Sequence, residues 1–143
     1  MIRHLRSADI PQIKKIYAGS NEKNGLAVSS GHFSKDSLLY INETLHKCEN
    51  TVFEENGRVL GIISVSHDFI EGLFVDPKHW KRGIGSALLK SVLEKKVSLR
   101  LQVYENNINA VRFYRKHGFT ITGGGICQMT GLPYFEMDST ALI

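Results

Sequence analysis

Val75-Asp76-Pro77-Lys78-His79-Trp80-Lys81-Arg82-Gly83-Ile84-Gly85-Ser86-Ala87-Leu88-Leu89 is the stretch on which the reading of this chain turns. An apolar run, Phe69–Val75, stops at Asp76-Pro77, and two glycines then open an amphipathic segment carrying Leu88, Leu89, Val92 and Leu93 on one side. Glycines let the backbone curl closely without Cβ clashes. A helix beginning there points unpaired N–H groups and its positive dipole end outward, and Lys81 and Arg82 add charge. Such a loop suits a phosphate or pyrophosphate. On its own it also suits a tight turn with two solvated cations, and both readings stand at this point.

The common nucleotide loops do not fit. A Walker A loop needs Gly-Lys-Ser/Thr at its end, and Gly85 is followed directly by Ser86. A dinucleotide fingerprint needs a third glycine where Leu88 stands and an acidic residue on the following strand, and neither is present.

Outward from the loop, strand 69–75, helix 86–96 and strand 97–104 form a β-α-β unit, which predicts a right-handed crossover between parallel strands. Strand 69–75 is apolar on both faces apart from Glu71, the pattern of a central buried strand. Upstream, residues 2–6 read as a first strand. Ser7 or Asp9 caps a helix with Pro11 in its first turn and Ile10, Ile13, Ile16 and Tyr17 on one side. The Gly/Ser/Asn-rich segment 19–31 reads as a loop. Ser34 then caps a second helix bearing Leu38, Ile41, Leu45 and Cys48. Strands 51–54 and 58–66 are joined at Asn56-Gly57, a strong hairpin signal. Downstream come a helix over 107–117 stopped by Gly118, a strand over 119–122 and, after Gly123-Gly124-Gly125, a last strand over 132–137. The expected fold is α/β with a mixed sheet, mostly antiparallel, holding one parallel crossover and flanked by helices, as a single domain over 1–143.

Composition narrows the function. The net charge of +4 is a mild basic bias with no long run, so a small anionic ligand accounts for it without a polyanion. Nothing resembles a basic patch with interleaved aromatics, and nucleic acid is set aside as a partner. No apolar run approaches a membrane span or a leader, so a cytoplasmic, membrane-free protein is expected. Cys48 and Cys127 read as free thiols, and six scattered histidines without ligand spacing predict no metal.

A second motif lies downstream: Asn107-Ile108-Asn109-Ala110-Val111-Arg112-Phe113-Tyr114-Arg115-Lys116-His117-Gly118-Phe119. Together with the glycine loop and the order of elements, it resembles the GNAT superfamily of N-acetyltransferases over almost the whole chain, in particular its small single-domain bacterial members. One position departs. The family often has Gln or Arg where Trp80 stands, and Trp80 is expected beside the cofactor or the loop.

The resemblance implies acetyl-CoA as co-substrate and an amine as acceptor, on a protein or a small molecule. It places the pantetheine arm along Leu73, Phe74 and Val75. It gives the pyrophosphate to Lys81, Arg82, Gly83, Ile84, Gly85 and Ser86, and a further cofactor contact to Asn107, which equally fits a helix cap. Tyr114, a core tyrosine on pattern alone, takes the position of the acid that protonates the departing thiolate. A general base on the fifth strand is missing, since Gln102 occupies that place. Glu71 is the candidate instead, against the alternative of a carboxylate that only hydrogen-bonds structure. His67 and Asp68 read as a solvated turn, and Tyr134 as a strand residue near the acceptor. A homodimer is compatible with the family. The alternative function is an acetyl-CoA-binding sensor without turnover.

Overall fold

A computed structural model describes residues 1–23, 43, 45–128 and 130–139. Its strands are β1 (Ile2–His4), β2 (Glu49–Glu55), β3 (Arg58–Ser66), β4 (Phe69–Val75), β5 (Arg100–Tyr104), β6 (Thr120–Ile126) and β7 (Pro133–Asp138). The helices are α1 (Ile10–Lys23), α2 (Ile84–Leu93) and α3 (Ile108–Lys116). Ser34, Leu38 and Ile41 of the expected second helix lie outside the described residues, although Leu45–Lys47 are helical.

The strands form one seven-stranded sheet in the order β1-β2-β3-β4-β5-β7-β6. Every pairing is antiparallel except β4 with β5, so the sheet is mixed, with its one parallel pair at the α2 crossover. Asn56 (φ 53°) and Gly57 (φ 78°) turn the β2–β3 hairpin in the left-handed conformation that this dipeptide tolerates.

Each face of the sheet has its own core. Ile13 and Ile16 of α1 pack on Val52, Val59 and Ile62, with Phe74 at the margin against Tyr17 at a ring separation of 4.7 Å. On the other face α2 and α3 bring Ile84, Leu88, Leu89, Val92 and Tyr114 onto Leu60, Ile63, Val65, Ile70, Leu101 and Val103. A buried ion cluster ties β1 to the start of α1. Arg3 donates to Asp9 at 2.8 and 3.0 Å and to Glu54 at 2.7 Å. The Arg3 hydrogen bonds hold the Asp9 carboxyl below the usual range.

Several expectations are corrected. The strand expected to end at Thr122 runs on through Gly123-Gly124-Gly125 to Ile126 as β6. A Cβ at Gly124 would lie 2.7 Å from the Tyr134 carbonyl oxygen, and one at Gly125 2.8 Å from the Tyr134 hydroxyl, so bare backbone lets β7 close down on β6. Helix α1 runs through Gly19 to Lys23 rather than yielding to a loop, and β5 begins at Arg100 rather than at residue 97. The largest departure is β4. Of its residues only Ile70 is fully buried, and the others are partly exposed.

Candidate active site

That partial exposure has a cause in the pairing. Toward β3, β4 is in register from Phe69↔Ser66 to Val75↔Gly61. Toward β5 it meets only Arg100, opposite Phe69. Arg100 pins this apex. Its N–H donates to the Asp68 carbonyl at 2.8 Å, its guanidinium pairs with the Asp68 carboxylate at 3.0 Å, and it sits 5.5 Å over the Phe69 ring. Asp68 is therefore engaged structurally, as the turn reading expected. Beyond the apex the two parallel strands diverge.

Glu71 lies at the bulge that starts the divergence. Ser64 pairs with Gly72 and Val65 with Ile70, which leaves Glu71 as the extra residue of β4. The insertion flips the alternation, so that Ile70, Leu73 and Val75 all contact the α2/α3 core. The Glu71 side chain is 21% exposed, and Lys47 Nζ lies 3.8 Å from its carboxylate. Burial, and after it the Glu71 charge, raise the thiol of Cys48 above its ordinary value. Lys47 and Cys48 as neighbours of Glu71 were not legible in sequence, being more than twenty positions away. A recess of about 370 Å³ bordered by His4, Arg6, Leu45, His46, Cys48 and Asn50 ends beside this corner.

Past the bulge, the Asp76 N–H donates to the Leu60 carbonyl at 2.8 Å. Because amides alternate along an antiparallel pair, those of Leu73 and Val75 face away from β3, into the gap. The strand then enters the glycine loop. Asp76 Oδ1 accepts from the Lys78 N–H at 3.1 Å and closes a short 3-10 turn over Pro77–His79. Lys81 (φ 66°) and Gly83 (φ 82°) are left-handed. Gly83 is the N-cap of α2 and, having no side chain, leaves that end without a side-chain cap of its own. A left-handed residue followed by the right-handed first turn converges N–H groups, the arrangement of an anion-binding nest. Lys81 and Arg82 are exposed. Arg82, however, is turned to Glu55, which it meets at 3.0 and 3.1 Å, and to His79 Nδ1 at 2.8 Å.

Trp80 donates its indole N–H to the Val75 carbonyl at 2.8 Å. Gly85 packs on Phe113, whose ring a Cβ there would meet at 3.4 Å, so α3 is seated against the loop. At the head of α3 the Asn107 side chain accepts from the Ala110 N–H at 3.3 Å, the cap that sequence reasoning allowed for.

Tyr114, on α3, is 8% exposed and shares a core cluster with Leu73 and Val75 of β4 and with Leu101 and Val103 of β5. Among the described residues its hydroxyl has no hydrogen-bond partner, although Phe113 and Phe119 flank its ring at 5.2 and 5.4 Å. Burial pushes its pKa well above the ordinary phenol value, so the group stays protonated at any physiological pH. Gln102, by contrast, is exposed and stands opposite Glu136 of β7.

Comparison with known proteins agrees with this geometry. The acetyltransferase (GNAT) family model matches residues 12–119. Peptidyl-lysine N-acetyltransferase YiaC of Escherichia coli K12 is 31% identical over 139 residues, 96% of this chain and 95% of its own. The solution structure of apo YjaB from Escherichia coli superposes with a TM-score of 0.85 at 24% identity, covering 97% of this chain and 96% of that one. The PaiA N-acetyltransferase from Thermoplasma acidophilum, solved with coenzyme A, superposes with a TM-score of 0.71 at 18% identity, with 96% of each chain covered. The last two share the fold; the first shares sequence along its whole length. The chain belongs to the acetyltransferase (GNAT) family and is an N-acetyltransferase acting on amines.

Proposed function

We propose that this enzyme transfers the acetyl group of acetyl-CoA to the side-chain amine of a peptide lysine, by direct attack with both substrates bound. The observation that carries the reading is the open edge of β4, running from the Glu71 bulge to a helix N-terminus without a side-chain cap of its own. An extended amide-bearing arm ending in a pyrophosphate complements such a surface. The arm adds to the strand edge at Leu73–Val75, and the phosphates meet the N–H groups from Gly83 to Ser86 and the charge of Lys81. Phe74 contributes backbone, its ring being turned to α1. Arg82 joins only by leaving Glu55, an exposed pair that costs little to break. Asn107 adds a contact while capping α3.

The acceptor approaches the gap from the Glu71 side. Glu71, directly or through one water, takes a proton from the ammonium, whose pKa of about 10.4 keeps it charged at neutral pH. A gap-facing N–H of β4 donates to the thioester oxygen as charge develops there. The nitrogen bonds to the carbonyl carbon and loses its second proton to solvent, the carbon–sulfur bond breaks, and Tyr114 gives its proton to the departing sulfur and is reprotonated from solvent. A buried phenol with no partner among the described residues is otherwise a cost of about 1–3 kcal/mol, which a thiolate acceptor removes. The lysine acceptor rests on the full-length similarity to YiaC. The sensor alternative gains nothing from the relatives, which carry acetyltransferase names.

The test is thiol release from acetyl-CoA against lysine peptides, N-terminal peptides, polyamines and aminoglycosides, with calorimetric titration of CoA alongside. Turnover on lysine peptides with micromolar CoA binding is expected. Turnover confined to another amine class would replace the acceptor and leave the cofactor site standing.

A further inference from the structure

The bond from Trp80 to the Val75 carbonyl joins the two halves of the cofactor surface. Val75 is the last residue of β4, and its amide group faces the gap. Trp80 opens the loop that carries the left-handed Lys81 and Gly83. Between the two residues lies only the short turn closed by Asp76. With Gly83 giving α2 no side-chain cap of its own, the direction of its first N–H groups depends on how the loop is anchored. On the outer side that anchor is an exposed ion pair from Arg82 to Glu55. On the inner side it is the half-buried indole. A neutral hydrogen bond shielded by a ring holds geometry better than a solvated ion pair.

We propose that Trp80 is a positioning residue for acetyl-CoA: its indole N–H latches the glycine loop to the end of β4, so that strand edge and anion nest form one surface before the ligand arrives. The proposal rests on the reading of this surface as the acetyl-CoA site. A pre-set surface spares the ligand the ordering of the loop.

Two measurements on the full-length enzyme test this. Trp80→Phe keeps an aromatic ring and removes the donor. It is expected to raise the KM for acetyl-CoA and the Kd for CoA about five- to tenfold, the worth of one such bond, with kcat and the KM for the amine within about twofold. Trp80→Gln, neutral and still a donor, should recover most of the lost affinity. A charge effect cannot produce that recovery. Equal CoA affinity in wild type and Trp80→Phe would overturn the latch, as would a Gln variant no better than Phe, or a loss shared equally by both KM values. Independently of any variant, Trp80 is the only tryptophan. Its single indole N–H resonance should exchange slowly with and without CoA, and fast exchange in both states would contradict the latch. Failure of the wild type to bind CoA at all would instead remove the underlying site reading.

Discussion

The two edges of β4 are built from the same seven residues and treated oppositely. Along β3 the strand is paired at six positions, and along β5 at one. The closed edge belongs to the fold: its neighbours Ile62, Ile63 and Val65 are buried to 3% exposure or less. The open edge begins at a bulge and runs to the glycine loop, and in the core beneath it lies the Tyr114 phenol, unpartnered among the described residues. A strand edge with no neighbouring strand along it among the described residues is a liability that proteins normally cover or charge. Here the cover is a substrate. The contrast predicts a clean division: changes along the open edge should act on turnover and leave stability alone, and changes in the closed half should do the reverse.

The sharpest break would come from Tyr114→Phe. Loss of the acid is expected to lower kcat about 10²–10³-fold with CoA affinity within about twofold. Because the hydroxyl has no partner among the described residues, the melting temperature should hold or rise slightly. A destabilised but fully active variant would move Tyr114 to the structural side. Next comes Glu71→Gln, for which a drop in kcat of about 10²-fold is expected, at the low end for a general base because solvent supplies a partial substitute. Unchanged kcat there would leave Glu71 as a bulge residue held by Lys47.

Away from β4, in the β6–β7 hairpin that belongs wholly to the fold, Gly124→Ala forces a Cβ toward the Tyr134 carbonyl oxygen at 2.7 Å. It should cost about 1–3 kcal/mol in denaturant unfolding while CoA affinity stays within about twofold. The smallest effect belongs to Asp9→Asn, about 1 kcal/mol near neutral pH. Its sign in pH follows from the depressed carboxyl. The Arg3 contact stabilises the fold fully above the unfolded value of about 3.9, and the contribution disappears as pH falls through the lower folded value. Unfolding followed from pH 6 to pH 2 should show the wild type losing this increment in acid and the variant lacking it throughout. An activity loss in either variant at saturating substrate would blur the division.

What was legible in the sequence was local. Asn56-Gly57, the glycines after Asp76-Pro77 and the apolar spacing of Leu88, Leu89 and Val92 each specify backbone within a few residues, and each element formed. Apolarity alone misled at β4, because a strand edge kept for a ligand has the same composition as one buried by protein. Gly123-Gly124-Gly125 misled for the converse reason. Three residues without side chains carry no strand pattern of their own, and their extended state is imposed by Tyr134 and Glu136 across the hairpin. The partners that tune the site come from far along the chain. Arg82 meets Glu55, Glu71 meets Lys47, and only the fold brings them together. Trp80 shows the reverse case: its partner is five residues away, but nothing in residue type announces an indole bonded to a strand carbonyl.

The most direct test is amide hydrogen exchange with and without CoA. The account predicts added protection in β4 from Gly72 to Val75 and in the loop and first turn of α2 from Lys81 to Ala87, with β1, β2 and β6 unchanged. Protection that spares β4, or that centres on the recess beside Cys48, would contradict the assignment of its open edge to the cofactor.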